Sequence, residues 1–169
     1  AARNGRHADV AHLIRQRAHV NWSQPDGGRT ALHSAAFNGH IETCAMLLHL
    51  RADPNARDAS DSTALHWAAI NSYRDTCQLL LERQADVNAA DKHQRTPLLY
   101  AAIKGRSACQ LLLQHGARIN ACDRYGQTAL HQAAFNGHAS LCQLLIANGA
   151  DCAARSVCAA MLLGCICID

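Results

Sequence analysis

The chain has 169 residues and a formal net charge of +3, and 49% of its residues are hydrophobic while 17% are charged. So high an apolar fraction with so small a net charge excludes intrinsic disorder, and the charge is too small to indicate a nucleic acid or a membrane surface as partner. Alanine and leucine are the two most abundant residue types and favour helices, whereas valine, isoleucine and aromatic residues are scarce. The composition therefore predicts an all-α protein with closely packed small side chains.

The chain is organised as a repeated unit, and the predicted elements follow it. A partial unit spans residues 1–24 and is followed by full units at 25–57, 58–90, 91–122 and 123–155. The full units contain the blocks TALHSAAFNGH, TALHWAAINSY, TPLLYAAIKGR and TALHQAAFNGH, which begin at residues 30, 63, 96 and 128. The last interval is one residue shorter than the others, and the missing residue falls between Gly105 and Cys109. Recurrence at a nearly fixed period predicts an array of stacked supersecondary units.

Each full unit predicts two short helices. The threonine that opens the block is a good helix N-cap, and the Ala-Ala pair that follows allows close approach of the next unit. A glycine such as Gly39 ends this first helix, because it adopts a left-handed conformation at little cost. The second helix carries Cys, Leu and Leu at i, i+3 and i+4, for example Cys44, Leu47 and Leu48. Such a pair has an apolar face that it cannot bury alone, so it must stack on its copies.

These blocks resemble the ankyrin-repeat family over about residues 1–155. The resemblance rests on the Thr-Pro-Leu-His block, the Gly-His that ends the first helix, and the Ala-Asp-x-Asn-Ala block. It implies an all-α solenoid of stacked helix-turn-helix units with protruding β-turn fingers and a concave groove. The chain departs from the family pattern at Leu99 (for His), Ser72-Tyr73 (for Gly-His), and Asp61 and Gln94 (for the turn glycine). These departures bear on local turn geometry and not on the fold.

Residues 156–169 form an apolar, Cys-rich tail that matches no repeat. We expect either a cap over the last helix pair or the product of a misread reading frame, and the start without Met indicates a fragment of a longer protein. Nine cysteines without a pairing pattern or an evident secretory signal favour a reduced intracellular location, cytoplasmic rather than nuclear. No apolar stretch reaches the roughly 18 residues that a membrane span needs.

No catalytic constellation is present, so we predict neither an enzyme nor a cofactor. The chain lacks a Gly-rich phosphate loop, a nucleophile elbow, His-Glu-x-x-His and Cys-x-x-Cys. The equivalent histidines of successive units lie about 10 Å apart, too far to share a metal ion. We therefore interpret them as hydrogen-bonding groups between units (His33, His66 and His131). The cysteines of one helical slot are interpreted as small buried hydrophobic residues (Cys44, Cys77, Cys109 and Cys142).

Another protein is the predicted partner. The resemblance implies contacts at the fingers and on the exposed side of the first helices, where large aromatic residues are the candidate anchors (Phe37, Trp67, Tyr100 and Phe135). Partial burial between units is an equally weighted interpretation of Trp67 and Tyr100. A basic group near the last two fingers, with a tyrosine beside it, suggests a partner with an acidic or phosphorylated segment (Arg95, Lys104 and Arg124, with Tyr125). A merely solvated surface is the competing interpretation of that group.

The resemblance also implies a substrate role, since ankyrin repeats are hydroxylated by an oxygenase at the asparagine of the Ala-Asp-x-Asn-Ala block. Asn88 fits this role best, and Asn55 and Asn120 fit it less well. We thus predict a non-enzymatic scaffold for protein binding. Two alternatives stay open. One is a structural spacer within a larger enzyme, channel or ligase adaptor, and the other is a metal- or redox-responsive protein that uses the tail cysteines (Cys158, Cys165 and Cys167).

Overall fold

The computed structural model describes residues 19–154, which contain four consecutive helix pairs. The pairs are α1 (Ala31–Phe37) with α2 (Ile41–His49), α3 (Ala64–Ile70) with α4 (Arg74–Glu82), α5 (Pro97–Lys104) with α6 (Arg106–Gln114), and α7 (Ala129–Phe135) with α8 (Ala139–Ala147). Each first helix packs on the next first helix, and each second helix on the next second helix. Within these residues the β-structure is one isolated bridge, between Cys122 and Thr128. The predicted all-α solenoid is confirmed. The partial first unit and the Cys-rich tail lie largely or wholly outside the described residues.

The turns that precede the first helices form a row of four fingers, at residues 24–30, 58–63, 91–96 and 123–128. Each finger is joined to the next by one backbone hydrogen bond. The donors are the amides of Ala59, Lys92 and Arg124, and the acceptors, at 2.9, 3.0 and 3.0 Å, are the carbonyls of Gly27, Ser60 and His93. The fingers therefore extend the stack as a continuous surface beside the first helices.

Three of the four first helices begin with a threonine and a histidine that cap each other. The backbone N–H of Thr30 donates to His33 Nδ1 (3.1 Å), and Thr30 Oγ1 lies 2.8 Å from the same nitrogen. Because Nδ1 accepts, the ring proton sits on Nε2, which donates to the Ser62 carbonyl in the next finger at 3.0 Å. His66 repeats this arrangement with the carbonyl of Arg95. The predicted role of His33 and His66 as links between units is confirmed.

The stacked helices bury alanines and cysteines where the repeat predicts them. The Ala-Ala pairs of α1, α3 and α5 have no exposed surface (Ala35, Ala36, Ala68, Ala69, Ala101 and Ala102). Cys44, Cys77 and Cys109 are also fully buried free thiols, and burial raises the pKa of each to about 12. Cys142 occupies the same slot in α8 but is only partly buried. Buried thiols of this kind act as small apolar side chains.

At two positions where the chain departs from the family pattern, the backbone keeps the conformation that glycine has in the equivalent turns. Asp61 and Gln94 adopt φ angles of 59° and 62°, close to the 63° and 74° of Gly28 and Gly126 in the equivalent turns. The turn geometry is therefore the same as with glycine. It costs more free energy, however, because a residue with a side chain is sterically disfavoured in the left-handed backbone conformation. The shortened unit differs more. Gly105 alone separates α5 from α6, whereas three residues separate the helices of each other pair. This confirms the place predicted for the missing residue.

Candidate functional site

Three of the four fingers each contain one buried aspartate, around which the turn folds. Asp58, Asp91 and Asp123 are only 6%, 2% and 3% exposed. In each of them Oδ1 accepts the backbone N–H groups of the residues two and four positions later, at 2.7 to 3.0 Å. These bonds satisfy one carboxylate oxygen within the turn and leave the other, Oδ2, facing side chains from neighbouring elements.

In two of these fingers, the second carboxylate oxygen accepts a hydrogen bond from the aromatic residue four positions after the finger threonine. Trp67 Nε1 donates to Asp58 Oδ2 at 3.0 Å, and the Tyr100 hydroxyl donates to Asp91 Oδ2 at 2.8 Å. Burial and the hydrogen bond to Asp91 raise the pKa of Tyr100 to about 12. Both aromatic side chains are half-buried, with their polar ends held inside the protein. Trp67 and Tyr100 are therefore packed against the protein on one side and still present exposed surface on the other.

Arg29, Phe37 and Trp67 form a cluster at the first two helix pairs, which we call the arginine–aromatic cluster. The Phe37 and Trp67 rings meet edge to face, with centroids 5.6 Å apart. The guanidinium carbon of Arg29 lies 4.4 Å from the Trp67 ring centroid and 5.9 Å from that of Phe37, within the range of cation–π attraction. Phe37 and the Arg29 side chain are each 41% exposed. Tyr100 lies apart from this cluster and packs edge-on against His66.

Sequence reasoning selected Phe37 and Trp67 but missed Arg29. Arg29 directly precedes Thr30, and Trp67 lies four residues after Thr63 in the next unit. The sequence therefore did contain the information. An arginine directly before the threonine of one unit and an aromatic residue four positions after the threonine of the next unit are brought together by stacking. Reading each unit alone cannot reveal it, because the contact joins two units.

The predicted basic residues near the last two fingers have different environments. Arg95 Nε lies 3.5 Å from Asp123 Oδ2, and the Asp123 side chain has no exposed surface. The Arg124 guanidinium stacks on the Tyr125 ring at 4.8 Å and donates to its hydroxyl oxygen at 2.6 Å. Lys104 is exposed at the end of α5, and Phe135 at the end of α7 is 86% exposed. The structure thus joins Arg124 to Tyr125, while Arg95 is already engaged by a buried carboxylate.

The predicted hydroxylation sites connect neighbouring units. The side-chain oxygen of Asn55, Asn88 and Asn120 accepts a backbone N–H of the next unit, from Asp86, Arg118 and Asp151, at 2.7, 2.8 and 2.9 Å. The amide nitrogen of each donates to a carbonyl of that unit, at Gln84, Gly116 and Gly149. Both amide atoms therefore hold the stack together. Hydroxylation at these residues stays a prediction.

A shallow, open depression of about 410 Å³ lies beside the last two fingers. Its lining is Asn88, Ala90, Gln94, Thr96, Arg118, Asn120, Ala121 and Cys122. This lining combines amides, one guanidinium and one thiol, without the paired acid and base that proton-transfer catalysis uses. In the part of the chain that the structure describes, no three His, Cys, Asp or Glu side chains are grouped to hold a metal ion. No helix of that part is long and apolar enough to cross a membrane.

Comparison with models of protein families gives a match over most of the chain. A family model described as ankyrin repeats (three copies) matches residues 1–91 and 85–156. The two ranges together include every residue that the structure describes. No curated protein matches the chain. Repeats of this kind are generally protein–protein interaction modules, and proteins built from them are typically non-enzymatic.

Proposed function

Because the chain belongs to the ankyrin-repeat family, we propose that it is a non-enzymatic scaffold that binds another protein through its concave groove and finger tips. The observation that carries this proposal is an apolar row left uncovered at the ends of the first helices. It consists of Phe37, Ile70, Ile103 and Phe135, which are all partly or largely exposed. Exposed apolar surface flanked by polar groups is typical of protein interaction sites.

The charges of the last two fingers favour an acidic or phosphorylated segment in that partner. Their aspartates, Asp91 and Asp123, are buried and hydrogen-bonded to the backbone, so they contribute little to the outer surface. Lys92 and Arg124, in contrast, are exposed. Complementary charge on a partner accelerates encounter and fixes its register.

Affinity capture with surface variants tests this proposal. Phe37→Ser and Phe135→Ser are combined, because both rings are exposed enough to be replaced without opening the core. The matched control is Ile146→Ser, since Ile146 is 50% exposed but lies on α8, a second helix. We expect the double variant to lose proteins that the wild type and the control both retain. Identical sets of captured proteins for all three would contradict binding through the first-helix surface.

A further inference from the structure

We propose that the arginine–aromatic cluster binds an acidic side chain, aspartate or glutamate, of the partner. The carboxylate would pair with the Arg29 guanidinium, and an adjacent apolar residue of the partner would pack on Phe37 and Trp67. This inference rests on the proposed function, because it names the chemistry recognised at one point of the same surface.

In the described part of the chain, the Arg29 guanidinium donates no hydrogen bond to another residue. Its Nε lies 3.9 Å from Asp58 Oδ2, which is beyond hydrogen-bond distance. The Asp58 carboxylate already accepts three hydrogen bonds without Arg29, from the amides of Ser60 and Ser62 and from Trp67 Nε1, at 2.8, 3.0 and 3.0 Å. The guanidinium is therefore attracted by Asp58 while its donors stay available to a ligand.

Stacking on Trp67 holds this guanidinium in one orientation. A planar guanidinium offers two parallel N–H donors that match the two oxygens of a carboxylate. Because the Arg29 guanidinium carbon lies 4.4 Å from the Trp67 ring centroid, part of the ordering cost of binding is met before the ligand arrives. Apolar partner atoms packed on Phe37 and Trp67 would exclude water, and exclusion of water strengthens the ion pair.

Arg95 provides a comparison within the same molecule. It occupies the same slot as Arg29, directly before a finger threonine, and it also faces the aspartate of the next finger. Asp123 Oδ2, however, is buried and accepts no hydrogen bond, so it depends on the charge of Arg95 alone. The slot that holds Trp67 is occupied there by Gln132, which donates to Gln127. What distinguishes Arg29 is that its guanidinium stacks on the Trp67 ring and lies near a carboxylate that other donors already satisfy, whereas Arg95 is the charged partner of an oxygen that accepts no hydrogen bond.

The surroundings of Arg29 favour a carboxylate over a phosphate. Arg29 meets the ligand as a single cation, and the Asp58 carboxylate lies 3.9 Å behind it. A phosphate group carries close to two negative charges at neutral pH, of which the single Arg29 cation can neutralise only one, so its desolvation beside the apolar rings costs more than that of a singly charged carboxylate. A phosphorylated ligand is therefore an outcome that would overturn the inference.

Peptide selection on the immobilised chain is the test. A displayed library of random peptides is enriched on the wild type, and the dissociation constants of the selected peptides are measured against wild type, Arg29→Gln, Arg29→Lys and Arg83→Gln. Arg83 is the control because it is an exposed arginine at the end of α4, a second helix, and therefore outside the proposed binding surface. We expect peptides with Asp or Glu next to an apolar residue, and a loss of about 10- to 100-fold in affinity for Arg29→Gln. Arg29→Lys should restore little, whereas Arg83→Gln should bind like the wild type.

Replacing the selected acidic residue by its amide should weaken binding to the wild type as much as Arg29→Gln does, with little further loss when both changes are combined. Unchanged thermal unfolding of Arg29→Gln confirms that the fold is intact. Selected peptides that bind Arg29→Gln as tightly as wild type would overturn the inference. It would also be overturned if a synthetic copy of a selected peptide, with phosphoserine in place of the acidic residue, bound the wild type more tightly than the original. If in either case the selected peptides still lose affinity for Phe37→Ser, the proposed protein-binding surface stands. Binding that neither substitution affects would overturn both.

Discussion

Replacing Leu99 by histidine should stabilise the protein, because the third of the four described finger–helix junctions lacks the cap that the others have. Leu99 is 1% exposed, and the Thr96 hydroxyl next to it is buried without a hydrogen-bond partner. In the neighbouring unit His66 Nδ1 lies 3.0 Å from both Thr63 N and Thr63 Oγ1, and its Nε2 donates to the carbonyl of the next finger at 3.0 Å. The equivalent acceptor for residue 99 is the Gln127 carbonyl.

The expected gain is the difference between new hydrogen bonds and lost apolar burial. Three hydrogen bonds at about 1 kcal/mol each would add about 3 kcal/mol to the free energy of unfolding. Loss of the buried leucine side chain removes about 2 kcal/mol. Leu99→His should therefore raise the free energy of unfolding by about 1 kcal/mol, and the melting temperature by about 2–4 °C.

Urea denaturation followed by circular dichroism, for wild type and Leu99→His at pH 7.5, measures this difference. His66→Leu is the mirror-image control, since it removes the same three contacts from a unit that has them and should lower the midpoint. A Leu99→His protein no more stable than wild type, together with a His66→Leu protein no less stable, would refute the assignment of these histidines as stabilising links.

Three further predictions concern the buried histidines, the turn at Gln94 and the two arginines. Burial lowers the pKa of His33 and His66 in the folded protein, so their contribution to stability is complete above the pKa of about 6.5 that they have in the unfolded chain, and it is lost as the pH falls below that value. The urea midpoint of the wild type should therefore drop between pH 7.5 and 5.5. The drop should be smaller in His66→Leu, which has one of these histidines fewer. Gln94→Gly should raise the free energy of unfolding by about 0.5–1 kcal/mol in the same assay, because Gln94 adopts a φ of 62°; a loss of stability would show that its side chain matters more than the strain. Arg95→Gln should lower the free energy of unfolding by about 1–3 kcal/mol, because Asp123 Oδ2 would be left buried without a charged partner. Arg29→Gln should change the free energy of unfolding by less than about 0.5 kcal/mol. Equal effects of the two substitutions would contradict the distinction drawn between these arginines.

The solenoid was predictable because its determinants are local and recur in every unit. Thr30 and Thr63 cap helices that begin at the next residue, and Cys44, Leu47 and Leu48 lie on one face of a single helix. Even the shortened unit was detected, since Gly105 stands where the shorter interval requires a shorter connection. Helix position and the buried face follow from such patterns without knowledge of the partner element.

The candidate site was only half predictable, because its chemistry depends on contacts between units. Phe37 and Trp67 were identified by their slots in the repeat, but Arg29 was not, since its ring partner Trp67 lies in the following unit, far along the chain. Arg95 and Arg29 look alike in sequence, and the difference between them lies in how the next aspartate is satisfied.

Sequence alone was sufficient for the repeat and its helix pairs, because capping and periodic apolar residues act within a few positions. The tertiary structure decided which charges remain on the surface. Asp58 and Asp123 are both turn residues in sequence, yet Trp67 satisfies the first carboxylate and Arg95 is the charged partner of the second. The slot four residues after the threonine of the same unit makes the difference: Trp67 donates to the second oxygen of Asp58, whereas Gln132 donates to Gln127 and leaves the second oxygen of Asp123 to the charge of Arg95 from the preceding unit.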